Sequence, residues 1–354
     1  MIRFGPAGIP LSNKGRTLED GIRDVHNLSL GALEVQLVRC NTYSRAPEDE
    51  EIGMTVKDVE EGFVIEICRD GESINDPDEP IDEDDELICL SSGITNTFGD
   101  LYNLGIMSKR LDVKMSIHTP YYMDLGQNMN DEDSTLTFEC FDSLRYAALI
   151  MNAMDGDIVV TNLGLYDRKR DREEIDNNIM ENVYNLMDWW HGYGLKPRLG
   201  VEITGHQDVF GSLDQVLDLC DQVEGAVPVL NFSHYHSRTH GGLITKEDFI
   251  DVIDKVLPYC KGSMHTAFAG VDYDKDGNER RLTPIKKGDL KFEPLADALI
   301  ELTPETTIIS TSPLLEHDAM YMRIIHERAL AKKVAKEMKE KRKAEQATAV
   351  AAGE

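Results

Sequence analysis

His118, Glu202, His234 and His265 close four separate apolar runs, "VKMSIH", "RLGVE", "VPVLNFSH" and "GSMH". Imidazole and carboxylate donors together suit Zn²⁺, and also Mn²⁺ or Fe²⁺. A single strand-end histidine is ordinarily a satisfied polar residue, but four such residues at comparable depth point to convergence on one divalent metal. Glu202 is the candidate catalytic carboxylate. The stretch "VLNFSHYHSRTH" holds three histidines. On extended backbone, residues two apart share a face, so His236 is a candidate to back His234 or touch substrate. His240, before a Gly-Gly pair, reads as surface loop.

Other groups lie near these. Arg280, Arg281, Lys286 and Lys287 form a basic patch suited to a phosphate. Glu316 and His317, just past the last apolar run, could supply a missing ligand, or simply enrich a helix start in acid. "DYDKDGNERRLT" imitates a calcium loop, but Thr283 stands where the bidentate Glu is required, so an ordinary turn is the better reading.

Positioning these side chains requires elements that bring remote points together. Strand-like runs at "MIRFGP", "ALEVQLVR", "VKMSIHTP", "DIVVTNLG", "RLGVEITG", "VPVLNFSH", "GSMHTAFAG" and "TTIISTSP" alternate with helical periodicities. Eight strand-helix units in strict order predict an α/β fold, the (β/α)8 TIM barrel, whose strands deliver their C-terminal ends to one mouth. From Ala46 to Glu86 eighteen Asp or Glu face only Lys57 and Arg69. Strand-like "GFVIEICRDG" and "DELICLSSG" within that stretch predict a small acidic β subdomain inserted after the second barrel strand, acting as lid, docking surface or solvated decoration. The expected division is a barrel over 1–44 and 96–326, an insertion over 45–95, and a basic helical tail over 327–354 with a disordered end.

The formal net charge is −28, which repels nucleic acid and membrane surfaces at long range unless a local patch reverses the field. Six dispersed cysteines form no C-x-x-C pair, so thiolate zinc and a disulfide frame are not expected. No apolar run approaches the roughly 20 residues of a spanning helix. The start "MIRFGPAGIP" lacks the layout of a secretory signal, and a cytoplasmic location is expected.

With these residues in place, the chain resembles the endonuclease IV group of xylose isomerase-like TIM barrels, and is similar to archaeal members that carry an acidic insertion. "SIHTPYYMDLG" resembles that group's H-x-P-Y-x-x-N-L motif and "VEITGHQDVFG" its E-N-x-x-G-x-G segment. "VPVLNFSHYH" sits where the group has D-T-x-H, and "SMHTAFAG" where it has H-x-N-D. The resemblance implies a metal-dependent hydrolase that cleaves phosphodiesters of damaged DNA at abasic sites with three zinc ions. Under it, His118, Glu202, His234 and His265 coincide with ligands. Asn162 replaces a His, Asn231 an Asp, and Ser310 a last-strand Glu, while Arg280 and Leu282 stand where the third zinc's Asp and His belong. Amides and hydroxyls are weak zinc ligands, so fewer than three ions are expected. The alternatives are a sugar isomerase or epimerase of the same superfamily, or a non-catalytic barrel.

Overall fold

All eight apolar runs form strands in the computed structural model, which describes residues 1–131, 134–167 and 169–351, with side chains of the last helix described to Lys343. They are β1 (Ile2–Pro6), β2 (Ala32–Gln36), β7 (Lys114–His118), β8 (Ile158–Thr161), β9 (Arg198–Glu202), β10 (Ala226–Asn231), β11 (Met264–Phe268) and β14 (Thr306–Ser310). All pair in parallel, in the order β1-β14-β11-β10-β9-β8-β7-β2. A parallel bridge from Ala7 to Glu34 joins the two ends. The result is a TIM barrel. Near-continuous apolar runs suit strands buried on both faces, and Ile158, Val160, Val227 and Val229 fill a separate inner cluster.

Helices α1 (Leu18–Asn27), α2 (Phe98–Arg110), α3 (Thr135–Ala153), α4 (Arg172–Gly192), α5 (Leu213–Gln222), α7 (Lys246–Val256), α8 (Phe292–Leu302) and α9 (Glu316–Ala351) accompany the strands. Their starts are encoded locally. Thr17 and Thr97 accept hydrogen bonds from Asp20 and Asp100, and Ser212–Gln215 and Thr245–Asp248 form capping boxes. Two features depart from simple alternation. A short helix, α6 (Phe232–Arg238), begins directly after β10, and a hairpin of β12 (Gly270–Tyr273) and β13 (Glu279–Thr283) follows β11. The expected "DKDGN" turn is the tip of that hairpin, where Asp274 Oδ1 accepts the backbone N–H groups of Asp276 and Asn278.

Between β2 and α2, the strands β3 (Asn41–Arg45), β4 (Val64–Arg69), β5 (Glu72–Ile74) and β6 (Glu86–Ser91) form an antiparallel sheet ordered β3-β6-β4-β5. It has its own buried residues, among them Phe63, Ile67, Ile81 and Leu87. A polar clamp fixes it to the outer barrel wall. Glu66 pairs with Arg145 of α3, Asn75 bridges both, and the Arg145 guanidinium lies 5.1 Å from the Trp189 ring centroid. Asn75 and Pro77 line one side of a cleft whose other side is formed by Tyr102, Leu149 and Tyr193. The clamp therefore predicts that Arg145→Ala, which strands the Glu66 charge, destabilises by about 3–5 kcal/mol. Urea unfolding followed by Trp189 and Trp190 fluorescence checks it; adding Glu66→Leu should recover much of the loss.

Candidate active site

Three imidazole–carboxylate pairs line the barrel: one at the C-terminal ends of β7 and β9, one on α6 and the β12–β13 hairpin just beyond, and one deeper, within β2 and β11. His118 ends β7. Its Nδ1 lies 2.7 Å from the Thr119 carbonyl and its Nε2 3.3 Å from Glu202 Oε2. Glu202 ends β9 and is only 4% exposed. Its other oxygen, Oε1, accepts a hydrogen bond from Asn231 Nδ2 at 3.0 Å.

Asn231 sets the character of this centre. It ends β10 and caps α6, where its Oδ1 accepts the backbone N–H groups of Ser233 and His234 at 3.1 and 3.2 Å. Two backbone donors fix which end of the amide is oxygen, so the NH2 end must face Glu202. An Asp in the same rotamer would instead present an acceptor to an acceptor.

His234 is carried by the first turn of α6. Its Nδ1 lies 2.9 Å from the Ile203 carbonyl, and its Nε2 is 3.2 Å from Glu279 Oε2, close enough for an ion pair but off hydrogen-bond alignment. His234 and His236 do not share one extended face as expected: the cap at Asn231 turns the chain into helix, and residues two apart on a helix diverge. His236 is buried beneath α6. Its Nδ1 accepts the Leu243 N–H, and its Nε2 faces Asp289 at 3.2 Å. His240 is exposed.

His265 stands apart from the other three expected ligands: it does not close its strand as expected but is the second residue of β11, because the apolar run continues through Ala267 and Phe268. On β11, its Nε2 meets Glu34 Oε2 of β2 at 3.0 Å. Glu34 also accepts from Gln36 and, at 3.4 Å, from Ser116. Glu34 and Glu279 were not singled out from the sequence. A buried acid within "ALEVQ" was the available signal for Glu34; Glu279 was hidden in a segment read as a turn.

The remaining candidates scatter. Glu316 is 1% exposed and holds the loop after β1, accepting the backbone N–H groups of Leu11 and Ser12 at 2.9 and 3.0 Å. It is thus a loop anchor. His317 is exposed beside it. Ser310 Oγ and Asn162 Oδ1, at the ends of β14 and β8, are buried without partners. Arg280 is exposed on β13 next to Glu279; Lys286 lies over the Tyr321 ring at 4.2 Å, and Lys287 is exposed.

The electrostatics follow from this geometry. Burial alone would lower the His118 pKa, but the Glu202 hydrogen bond and charge, together with the charge of Glu34, outweigh it and raise it to about 9. Burial would raise Glu202, yet the charges of His234 and His118 and the Asn231 hydrogen bond bring it to about 2. Glu202 and His118 thus form an ion pair across neutral pH.

Donor chemistry for a divalent cation exists here, yet among the described residues no three His, Cys, Asp or Glu side chains are grouped to hold one. Asn231 directs N–H, not a lone pair, at the central carboxylate. As arranged, the residues do not fit a multi-metal cluster.

The family described as xylose isomerase-like TIM barrel matches residues 100–320. An uncharacterised protein of Methanocaldococcus jannaschii, MJ0133, is 28% identical over 215 residues, or 60% of this chain and 76% of the relative. A solved D-tagatose 3-epimerase-like protein superposes with a TM-score of 0.60 at 13% identity, covering 94% of this chain and 99% of the other. Endonuclease IV from Thermus thermophilus gives 0.59 at 14%, covering 93% and 99%. L-ribulose 3-epimerase gives 0.57 at 11%, covering 96% and 97%. At such identities these likenesses speak for the fold and leave the chemistry to the site. The match over residues 100–320 places the chain in the xylose isomerase-like TIM barrel family.

Proposed function

We propose that this protein is an enzyme that moves a proton at a carbon beside a carbonyl, an isomerase or epimerase acting on a small, uncharged, hydroxyl-rich substrate. The observation that carries this reading is the buried Glu202–His118 ion pair with the Asn231 amide donating to its carboxylate. Glu202 is the base that takes the proton from carbon, and His118 is the acid that gives one to the carbonyl oxygen, leaving an enediol; Glu202 then returns the proton to the neighbouring enediol carbon while His118 recovers one from the other hydroxyl, which leaves both groups as they began and the carbonyl moved by one carbon. Separating two opposed titratable groups in this way assigns their roles. Glu202 and Glu279 at the mouth, with Glu34 in the barrel interior beneath, make the site rich in carboxylate, which disfavours a polyanionic substrate. All six cysteines are free thiols, in keeping with the cytoplasmic location we propose. No helix among the described residues is long and apolar enough to cross a membrane.

The test is solvent exchange. Purified protein in D2O with a panel of ketoses and aldoses should place deuterium at the carbon beside the carbonyl of one of them, detected by proton NMR, with EDTA present. No exchange on any member, together with scission of an abasic duplex, would overturn the proposal. That second outcome belongs to the phosphodiesterase reading, with Zn²⁺, Mn²⁺ or Fe²⁺ on His118, Glu202, His234 and His265, and damaged DNA as substrate. What favours it is Arg280 beside Glu279, with Lys286 and Lys287 nearby.

The pH dependence follows with its sign. Glu202 lies below its ordinary 4.5, so its contribution to stability is complete above 4.5 and disappears as pH falls toward about 2. His118 lies above its ordinary 6.5, so its contribution is complete below 6.5 and disappears as pH rises through about 9. The unfolding temperature should therefore fall between pH 6.5 and 9.5 more steeply than in His118→Asn. Calorimetry across that range measures the difference.

A further inference from the structure

The last helix and the inserted sheet carry opposite, unpaired charge on opposite flanks of the barrel. From Arg328 to Lys343, eight Lys or Arg accompany only Glu337 and Glu340. Among the described residues none of these eight has a carboxylate partner, and only Lys333 is bonded, to the Ile300 carbonyl. Leu330, Val334 and Met338 recur every fourth residue on one side of the helix and are 43%, 40% and 60% exposed.

Where this helix leaves the barrel matters. Arg323 donates to the Ser29 carbonyl, before β2, and Lys333 to Ile300, near the end of α8. Both lie at the face where strands begin, opposite the mouth. Residues beyond Lys333 continue for about 27 Å at ~1.5 Å per residue. A basic arm on that face cannot feed substrate to Glu202 and His118.

The insertion presents the complement. Its own cations are already engaged: Arg69 with Glu79, Asp82 and Asp85, Lys57 with Asp78, and Arg45, at its edge, with Glu51. Glu83, Asp84 and Glu86 are exposed and unpaired among the described residues. Tyr43, Ile52 and Met54 add exposed apolar surface, at 52%, 42% and 40%. The two surfaces do not serve each other within one chain. The clamp to Arg145 holds the insertion on α3, flanking β7 and β8, whereas α9 packs by β14 and β1, three strands away around the ring.

We propose that the helix face bearing Leu330, Val334 and Met338, with its flanking lysines, docks on the acidic insertion of a second copy of this chain. Attraction between the two charged surfaces carries the association, and the apolar residues at their centres set its register.

Two charge-reversed full-length proteins test this. One carries Lys332→Glu, Lys336→Glu and Lys339→Glu; the other carries Glu83→Lys, Asp84→Lys and Glu86→Lys. In sedimentation at low salt the wild type should self-associate and dissociate toward monomer at 1 M salt, where screening reaches about 3 Å. Each variant alone should associate roughly tenfold or more weakly, and mixing the two should restore association. In a mixture of ¹⁴N and ¹⁵N wild-type chains, carbodiimide cross-links from Lys336 or Lys339 to the insertion should join light to heavy peptides. A monomer at every concentration would overturn the proposal. So would cross-links confined to one chain, failure of the mixture to recover, or binding of the tail to anionic vesicles or duplex DNA without self-association. None of these readouts depends on catalysis, so they stand or fall apart from the proposed reaction.

Discussion

Asn231→Asp should turn a centre satisfied by protons into one that demands a cation. The new carboxylate would keep one oxygen on the Ser233 and His234 N–H groups and set the other about where Nδ2 now lies, 3.0 Å from Glu202 Oε1. Two like charges at that distance cannot both ionise without help, so one carboxyl takes up a proton or a metal neutralises both. In EDTA the variant should lose about 2–4 kcal/mol at pH 7. Zn²⁺ or Mn²⁺ should restore it, with isothermal titration showing binding at least roughly tenfold tighter than wild type, a gain of about 1.4 kcal/mol. Equal stability in EDTA and equal metal affinity for the two proteins would show that the amide N–H is not what satisfies Glu202.

Glu202→Gln should abolish the proposed chemistry while leaving the barrel intact. The substitution keeps volume and the ability to meet Asn231, but removes the base and the main partner of the His118 charge. Loss of a positioned general base costs typically 10²–10⁴ in rate, so deuterium incorporation should fall by roughly that factor with near-unchanged circular dichroism. The His118 pKa should move down at the same time, since burial then acts with less opposition. Exchange at wild-type rate in this variant would place the base elsewhere, with Glu34 an alternative through its pairing with His265 and its charge on His118.

The barrel was legible because each strand is a short apolar run whose identity depends on neighbours in sequence. His118 and Glu202 were legible for the same reason, as polar residues terminating such runs. Glu34 was not, because what makes it part of the site is His265, 231 residues away, and a single acid in "ALEVQ" gives no sign of that partner. His234 was assigned to the right mouth but the wrong element. "LNFSH" reads as continuing strand, and only the capping bonds of Asn231 turn it into helix. Glu279 reached the site through β13, a short, polar and partly exposed strand of a hairpin. Glu316 shows the converse: an acid at a helix start looked available, but its oxygens are committed to the backbone of Leu11 and Ser12, three hundred residues earlier in sequence.

The charge state of His118 bears most directly on all of this. Nitrogen NMR of ¹⁵N-histidine-labelled protein, with His118 assigned by its absence in His118→Asn, reports whether both ring nitrogens carry protons. In EDTA, His118 should remain a doubly protonated imidazolium through pH 8 and titrate near 9, and added Zn²⁺ should leave it unchanged. A neutral His118 ring at pH 7, or an Nε2 resonance that shifts to a metal-bound position on adding Zn²⁺, would contradict a mouth built to hold protons.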